Sequence, residues 1–150
     1  RALSHYQMSV RKGRETLSFD EAVRREEERI AGEWERMLAD ESYESVTYRA
    51  FSYKHRGRYA EQLRRYLEYF DREQMLVMSS EAMREDTPAG LRRVCDFLAI
   101  SFPEQYREAG PRHTRSYARN MSKDTERYLE EYFAPLNAEL YELLGEDFGW

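Results

Sequence analysis

Residues 74–80 read Gln74-Met75-Leu76-Val77-Met78-Ser79-Ser80. Met75 to Met78 form an unbroken apolar run, so the stretch has no wet face. Its shortness and polar flanks predict a strand buried on both sides, as in a parallel sheet with helices on each face. This reading decides the fold class. A strand buried on both faces needs hydrogen-bonding neighbours along its edges, and the rest of the sequence offers mostly helices. The missing strands lie either before Arg1 or nowhere, in which case the run is not a strand.

Working outward, Thr87-Pro88 predicts a helix start, a cap followed by proline at the first helical position. Leu91, Val94, Cys95 and Leu98 supply that helix's apolar stripe. On the other side, Tyr59, Leu63, Tyr66, Leu67 and Phe70 fall on one face of a helix that starts near Gly57. Residues 41–57 read as loop, with a short extended piece at Ser45–Tyr48. Ser18-Phe19-Asp20-Glu21 is a capping box. It predicts a helix from Phe19 to Leu38 with a stripe of Phe19, Val23, Ile30, Trp34, Met37 and Leu38. Arg1 to Val10 reads as a further helix. Residues 101–121 read as irregular, with Pro103, Gly110 and Pro111. Ser122 caps the last helix, Pro135 breaks or kinks it, and Gly145 ends it.

Composition bounds the function. The 150 residues suit one domain, and 41% hydrophobic with 14% aromatic content is enough for a core. No apolar run is long enough to span a membrane. The single cysteine, Cys95, excludes an internal disulfide and a cysteine-based metal cluster; it reads as a buried thiol in a helix stripe. Three scattered histidines without ligand spacing argue against a metal site. With no targeting segment in view, the expected setting is reducing and cytoplasmic. The net charge of −5 argues against a general nucleic-acid binder. Yet three windows hold basic residues and no acid: 1–14 (Arg1, Arg11, Lys12, Arg14), 45–60 (Arg49, Lys54, Arg56, Arg58) and 111–123 (Arg112, Arg115, Arg119, Lys123). Such windows are candidate seats for an anionic ligand.

Four stretches taken in order, RALSHYQ (1–7), GRYAEQLRRYLEYFDREQMLVMSSEAM (57–83), RSYARNMS (115–122) and FAPLNAELYELLGEDFGW (133–150), resemble the sulfotransferase family. They are most similar to bacterial members akin to the N-sulfotransferase domain of heparan sulfate enzymes. The resemblance implies an α/β fold of the P-loop NTPase-like type, here a mostly helical C-terminal part with one or two strands. It implies 3′-phosphoadenosine 5′-phosphosulfate (PAPS) as donor and no metal. The family's strand–loop–helix for the 5′-phosphosulfate has no counterpart in these residues, so residues 1–150 read as the C-terminal part of one such domain, inactive alone.

The resemblance also implies site residues. Ser4 matches the serine on the helix that binds the donor's 3′-phosphate, and Arg1 matches an arginine within that helix. His113-Thr114-Arg115-Ser116-Tyr117 occupies the place of a second donor loop. Arg115 and Tyr117 match the family pattern there; Thr114 stands for the usual glycine and His113 for a basic residue. A histidine four residues past the serine in some members is Met8 here. No catalytic residue is assigned: His5 faces elsewhere on the helix, and His55 reads as a surface histidine on a loop placed to line an acceptor site. The expected reaction is sulfuryl transfer to a hydroxyl or amine of a small-molecule or saccharide acceptor. The rival from another class is a small helical protein-interaction domain, using the twelve tyrosines to bind a partner. Another transferase or a kinase of the same fold is a second rival.

Overall fold

The computed structural model describes residues 1–106 and 121–150. They form α1 (Ala2–Arg11), α2 (Phe19–Arg24), α3 (Glu26–Arg29), α4 (Glu33–Ala39), α5 (Val46–Phe51), α6 (Tyr59–Leu67), α7 (Ser80–Glu85), α8 (Thr87–Phe97) and α9 (Lys123–Leu144), with short 3-10 turns at His55–Gly57 and Arg72–Gln74. The described residues fall into two compact units. The first holds residues 1–62 and 121–147; the second holds 63–106 and 148–150.

In the first unit, Ala2, Phe19, Ala22, Val23 and Tyr53 form the core, with Leu3, Tyr6, Leu17, Phe51, Met121, Tyr128 and Leu129 packed on it. The capping box at Ser18 forms as expected: the Glu21 amide donates to Ser18 Oγ and the Ser18 amide to Glu21 Oε2. The single helix expected to Leu38 is instead three. It breaks at Arg25 and again before Gly32, whose φ of +73° is open to glycine at little cost. Phe19, Val23 and Ile30 of the expected stripe are buried, whereas Leu38, beyond the break, is exposed. The extended piece expected at Ser45–Tyr48 is the start of α5. Ser45 Oγ accepts from the Tyr48 amide at 2.9 Å, and this cap outweighs the strand preference of Val46 and Thr47.

A buried carboxylate closes the link between α1 and α2. Glu15 Oε1 accepts from the Thr16 and Leu17 amides at 2.9 and 3.0 Å. Its Oε2 accepts from Arg29 Nη1 and from the Tyr53 hydroxyl, both at 2.6 Å. One side chain thus ties a loop, α3 and the segment after α5. Burial pushes the Glu15 carboxyl up, but Arg29, Tyr53 and the two amides outweigh it and hold the group below the ordinary range. Helix α9 begins at the Ser122 cap and ends at Gly145, φ +67°, as expected. It runs through Pro135 rather than stopping there. The proline leaves the Glu131 carbonyl without its usual intrahelical donor, and the helix on both sides has enough turns to continue.

In the second unit, Met75 has extended dihedrals (φ −123°, ψ 118°) and so has Ser79 (φ −68°, ψ 131°). Among the described residues, however, no strand is formed, and Met75 to Met78 are half-buried rather than buried on both faces. Local pattern sets the extended conformation; a strand also needs a partner backbone. Met75, Leu76 and Val77 instead line an open depression of about 400 Å³ with Arg72, Glu73, Arg93 and Phe97. The cap of α8 is Asp86, which accepts from the Ala89 amide at 2.9 Å, so the expected start is displaced by one residue. Cys95 is half-buried on α8, and Leu98 of the same stripe is exposed.

Candidate anion-binding site

The first turn of α1 carries no acidic residue, and no side chain caps it. Its first N–H groups therefore have no helical partner, and their dipoles favour an anion. Arg1 and Ser4 lie three residues apart, which places them on one side of the helix. Ser4 is half-buried there.

Helix α1 is seated on the end of α5. His5 is 7% exposed, and its Nε2 lies 3.1 Å from the Arg49 carbonyl oxygen. Ser9 Oγ donates to the Ala50 carbonyl at 2.7 Å. These carbonyls belong to the last turn of α5, where helical donors run out. His5 thus has a structural task on the buried side of α1. Burial lowers its pKa, and the charges of Arg56 and Arg1 lower it further.

Arg56 reaches the same place from the turn after α5. Its Nη2 donates to the Arg49 carbonyl at 3.1 Å and its Nε to Ser52 Oγ at 3.1 Å. His5 and Arg56 therefore meet at one acceptor. Burial lowers the Arg56 pKa; Tyr48 opposes this, and the charges of Arg1 and Arg49 add to it.

The other basic residues of the 45–60 window are committed elsewhere. Arg49 pairs with Glu44 at 3.2 Å. Lys54, 1% exposed, donates to the Tyr128 hydroxyl at 2.6 Å and pairs with Glu27 at 3.4 Å. Arg58 donates twice to the Tyr132 hydroxyl, at 2.9 and 2.7 Å, and pairs with Glu61 at 3.6 Å. A window free of acid in sequence is not free of it in space. Arg11, Lys12 and Arg14 of the first window are exposed.

His55 is half-buried rather than a free surface histidine. Its Nδ1 lies 2.9 Å from the Tyr48 hydroxyl, and Tyr48 stacks on Trp34 at 5.4 Å between ring centroids. The backbone beneath it is held by Glu26, whose Oε2 accepts from the Lys54 amide at 2.7 Å and Oε1 from the His55 amide at 2.8 Å. Burial pushes the Glu26 carboxyl up, and those two amides oppose it.

His5 and Ser9 thus hold α1 where it meets α5 and the following turn, and Arg1 and Ser4 lie at the start of that helix. His113, Thr114, Arg115, Ser116 and Tyr117 lie outside the described residues. Among the described residues, no group of three or more His, Cys, Asp or Glu is arranged to hold a metal ion, and no helix is long and apolar enough to cross a membrane. Glu15, Glu26 and the placement of Arg56 were not foreseen. Only Arg56 carried a sequence signal, its acid-free surroundings.

Compared with known families, residues 1–133 match the sulfotransferase domain. The chain belongs to that family. The sulfotransferase relatives include mouse heparan sulfate glucosamine 3-O-sulfotransferase 3B1, 28% identical across the whole chain. The human 3-O-sulfotransferase 3A1 is 26% identical over the same extent. The membrane-associated sulfotransferase kil1 of Dictyostelium discoideum is 34% identical over 61% of the chain and 19% of its own length. The chain spans 40% of the length of the mouse relative. No solved structure matches. Sulfotransferase membership implies the P-loop-like fold expected from the sequence, to which these residues contribute helices and the extended segment at Met75.

Proposed function

We propose that this chain holds the 3′-phosphate of a PAPS donor in a sulfotransferase that sulfates a saccharide hydroxyl. The observation that carries the reading is the start of α1. An acid-free first turn presents Arg1 and Ser4 together, within the residues that match the family. A phosphate monoester suits such a seat because backbone N–H groups, a hydroxyl and a guanidinium all donate to it. The saccharide hydroxyl, rather than an amine, is favoured by the relatives, which are heparan sulfate glucosamine 3-O-sulfotransferases.

In the transfer, the acceptor oxygen attacks sulfur while the bond from sulfur to the nucleotide's phosphate oxygen breaks, by analogy with phosphoryl transfer. The acceptor's proton passes to a base, and the 3′,5′-bisphosphate leaves. The residues of this chain supply positioning and positive charge on the nucleotide side of that step. Arg115 contributes a second grip on the 3′-phosphate from residues 113–117, where Arg115 and Tyr117 follow the family pattern.

Titration calorimetry with 3′-phosphoadenosine 5′-phosphate and with 5′-AMP tests this. Ser4→Ala and Arg115→Ala should each weaken the bisphosphate by about 1.5–3 kcal/mol, the value of a hydrogen bond to a charged group. Both variants should leave 5′-AMP nearly unchanged. Equal affinity of the unaltered protein for the two nucleotides overturns the reading.

A further inference from the structure

We propose that Arg56 is a further phosphate-binding residue, delivered from the turn after α5 to the same 3′-phosphate that Ser4 and Arg1 face. This rests on the reading above and adds a residue from a different part of the chain.

Three observations carry it. The first is position. Arg56 Nη2 and His5 Nε2 lie on one carbonyl oxygen, that of Arg49, each at 3.1 Å. The guanidinium therefore meets α1 at His5, and it lies close enough to Arg1 for the two charges to act on each other. The second is valence. A guanidinium has five N–H donors, and Arg56 spends them on Ser52 Oγ and the Arg49 carbonyl, both neutral. Lys54, Arg58 and Arg49 each meet a carboxylate; among the described residues none meets Arg56.

The third is electrostatic company. Arg56 loses hydration at its half-buried place; Tyr48 opposes that cost, and the positive fields of Arg1 and Arg49 add to it. Holding like charges together at a half-buried place is unfavourable by itself. A dianion seated among them removes that cost and engages the remaining donors. The two neutral bonds have a second use. They fix the fork of the guanidinium, so that less side-chain freedom is lost when the phosphate arrives.

The test compares unaltered protein, Arg56→Ala, Arg56→Lys and Ser4→Ala, each titrated with 3′-phosphoadenosine 5′-phosphate and with 5′-AMP. Arg56→Ala should weaken the bisphosphate on the order of 10- to 100-fold, as expected for loss of a charge-assisted contact, with 5′-AMP nearly unchanged. Arg56→Lys, which keeps the charge and loses the fork, should fall between. If Arg56→Ala weakens both nucleotides alike, the residue acts through folding and the inference is overturned. If Ser4→Ala is selective for the bisphosphate and Arg56→Ala is not, the inference fails while the donor reading stands. If the unaltered protein does not distinguish the nucleotides, the donor reading fails and takes this inference with it.

Discussion

Among the described residues, every side chain withdrawn from water, from Ala2 to Leu140, belongs to the first unit. The second unit contributes none, and its Phe97, Leu98 and Ile100 stand 39%, 55% and 56% exposed. Apolar content does not explain the contrast, since Met75 to Met78 is as apolar as any run in the chain. The first unit has carboxylates that pin its irregular segments: Glu15 between α1 and α2, and Glu26 under residues 54 and 55. An apolar face is buried only when another element is held against it, and in the first unit polar bonds do the holding.

Removing the holder should break the contrast most. Glu15→Ala leaves Arg29 and the Tyr53 hydroxyl without their acceptor inside the core. Breaking a buried pair in this way costs about 3–5 kcal/mol, a large part of a domain's stability. Urea unfolding followed by circular dichroism should show the midpoint collapse. A loss below about 1 kcal/mol, the range of a surface pair, would mean that the network does not hold the unit together.

A smaller effect should appear with pH. The folded pKa of Glu15 lies below its ordinary value of 4.5. Its stabilisation is therefore fully present above the ordinary carboxylate range and is lost as pH falls through the lower, folded value. Glu26 is shifted the other way, so its contribution has the opposite sign. The comparison is therefore between unaltered protein and Glu15→Gln, by urea melts from neutral to acid pH. The difference in stability between them should shrink towards acid. A constant difference would show that the charge of Glu15 is not what matters.

The smallest effect is expected in the second unit. Leu76 is half-buried in the depression, so Leu76→Ala forfeits only part of a side chain's burial. The expected cost is less than about 1.5 kcal/mol, short of the 2–5 of a core leucine. A core-sized loss by the same melts would mean that the second unit is as tightly built as the first.

These contrasts also mark what the sequence makes legible. Capping residues declared themselves: Ser18, Ser122 and Gly145 do in the structure what their types predict, because a cap is decided within four residues. Phe19, Val23 and Ile30 were readable as core from their spacing. The break at Gly32, the helical start at Ser45 and the lack of a strand partner for Met75–Met78 among the described residues were not. Each depends on a competition or a partner that no short window contains. At the proposed site, Ser4 is named from resemblance alone. Arg56 needed the fold, since its neighbours come from positions 1, 5, 49 and 52.

The Glu26 clamp has a consequence for how this chain tolerates change. Both of its donors are main-chain amides, those of residues 54 and 55. It therefore places no chemical demand on which side chains stand there. As far as this clamp is concerned, position 55 is free to sample nineteen amino acids without loss of the bond, and only proline, having no N–H, is barred. A turn anchored through its backbone in this way can be rewritten in sequence while keeping its course, and related chains can differ there yet carry residue 56 to the same place.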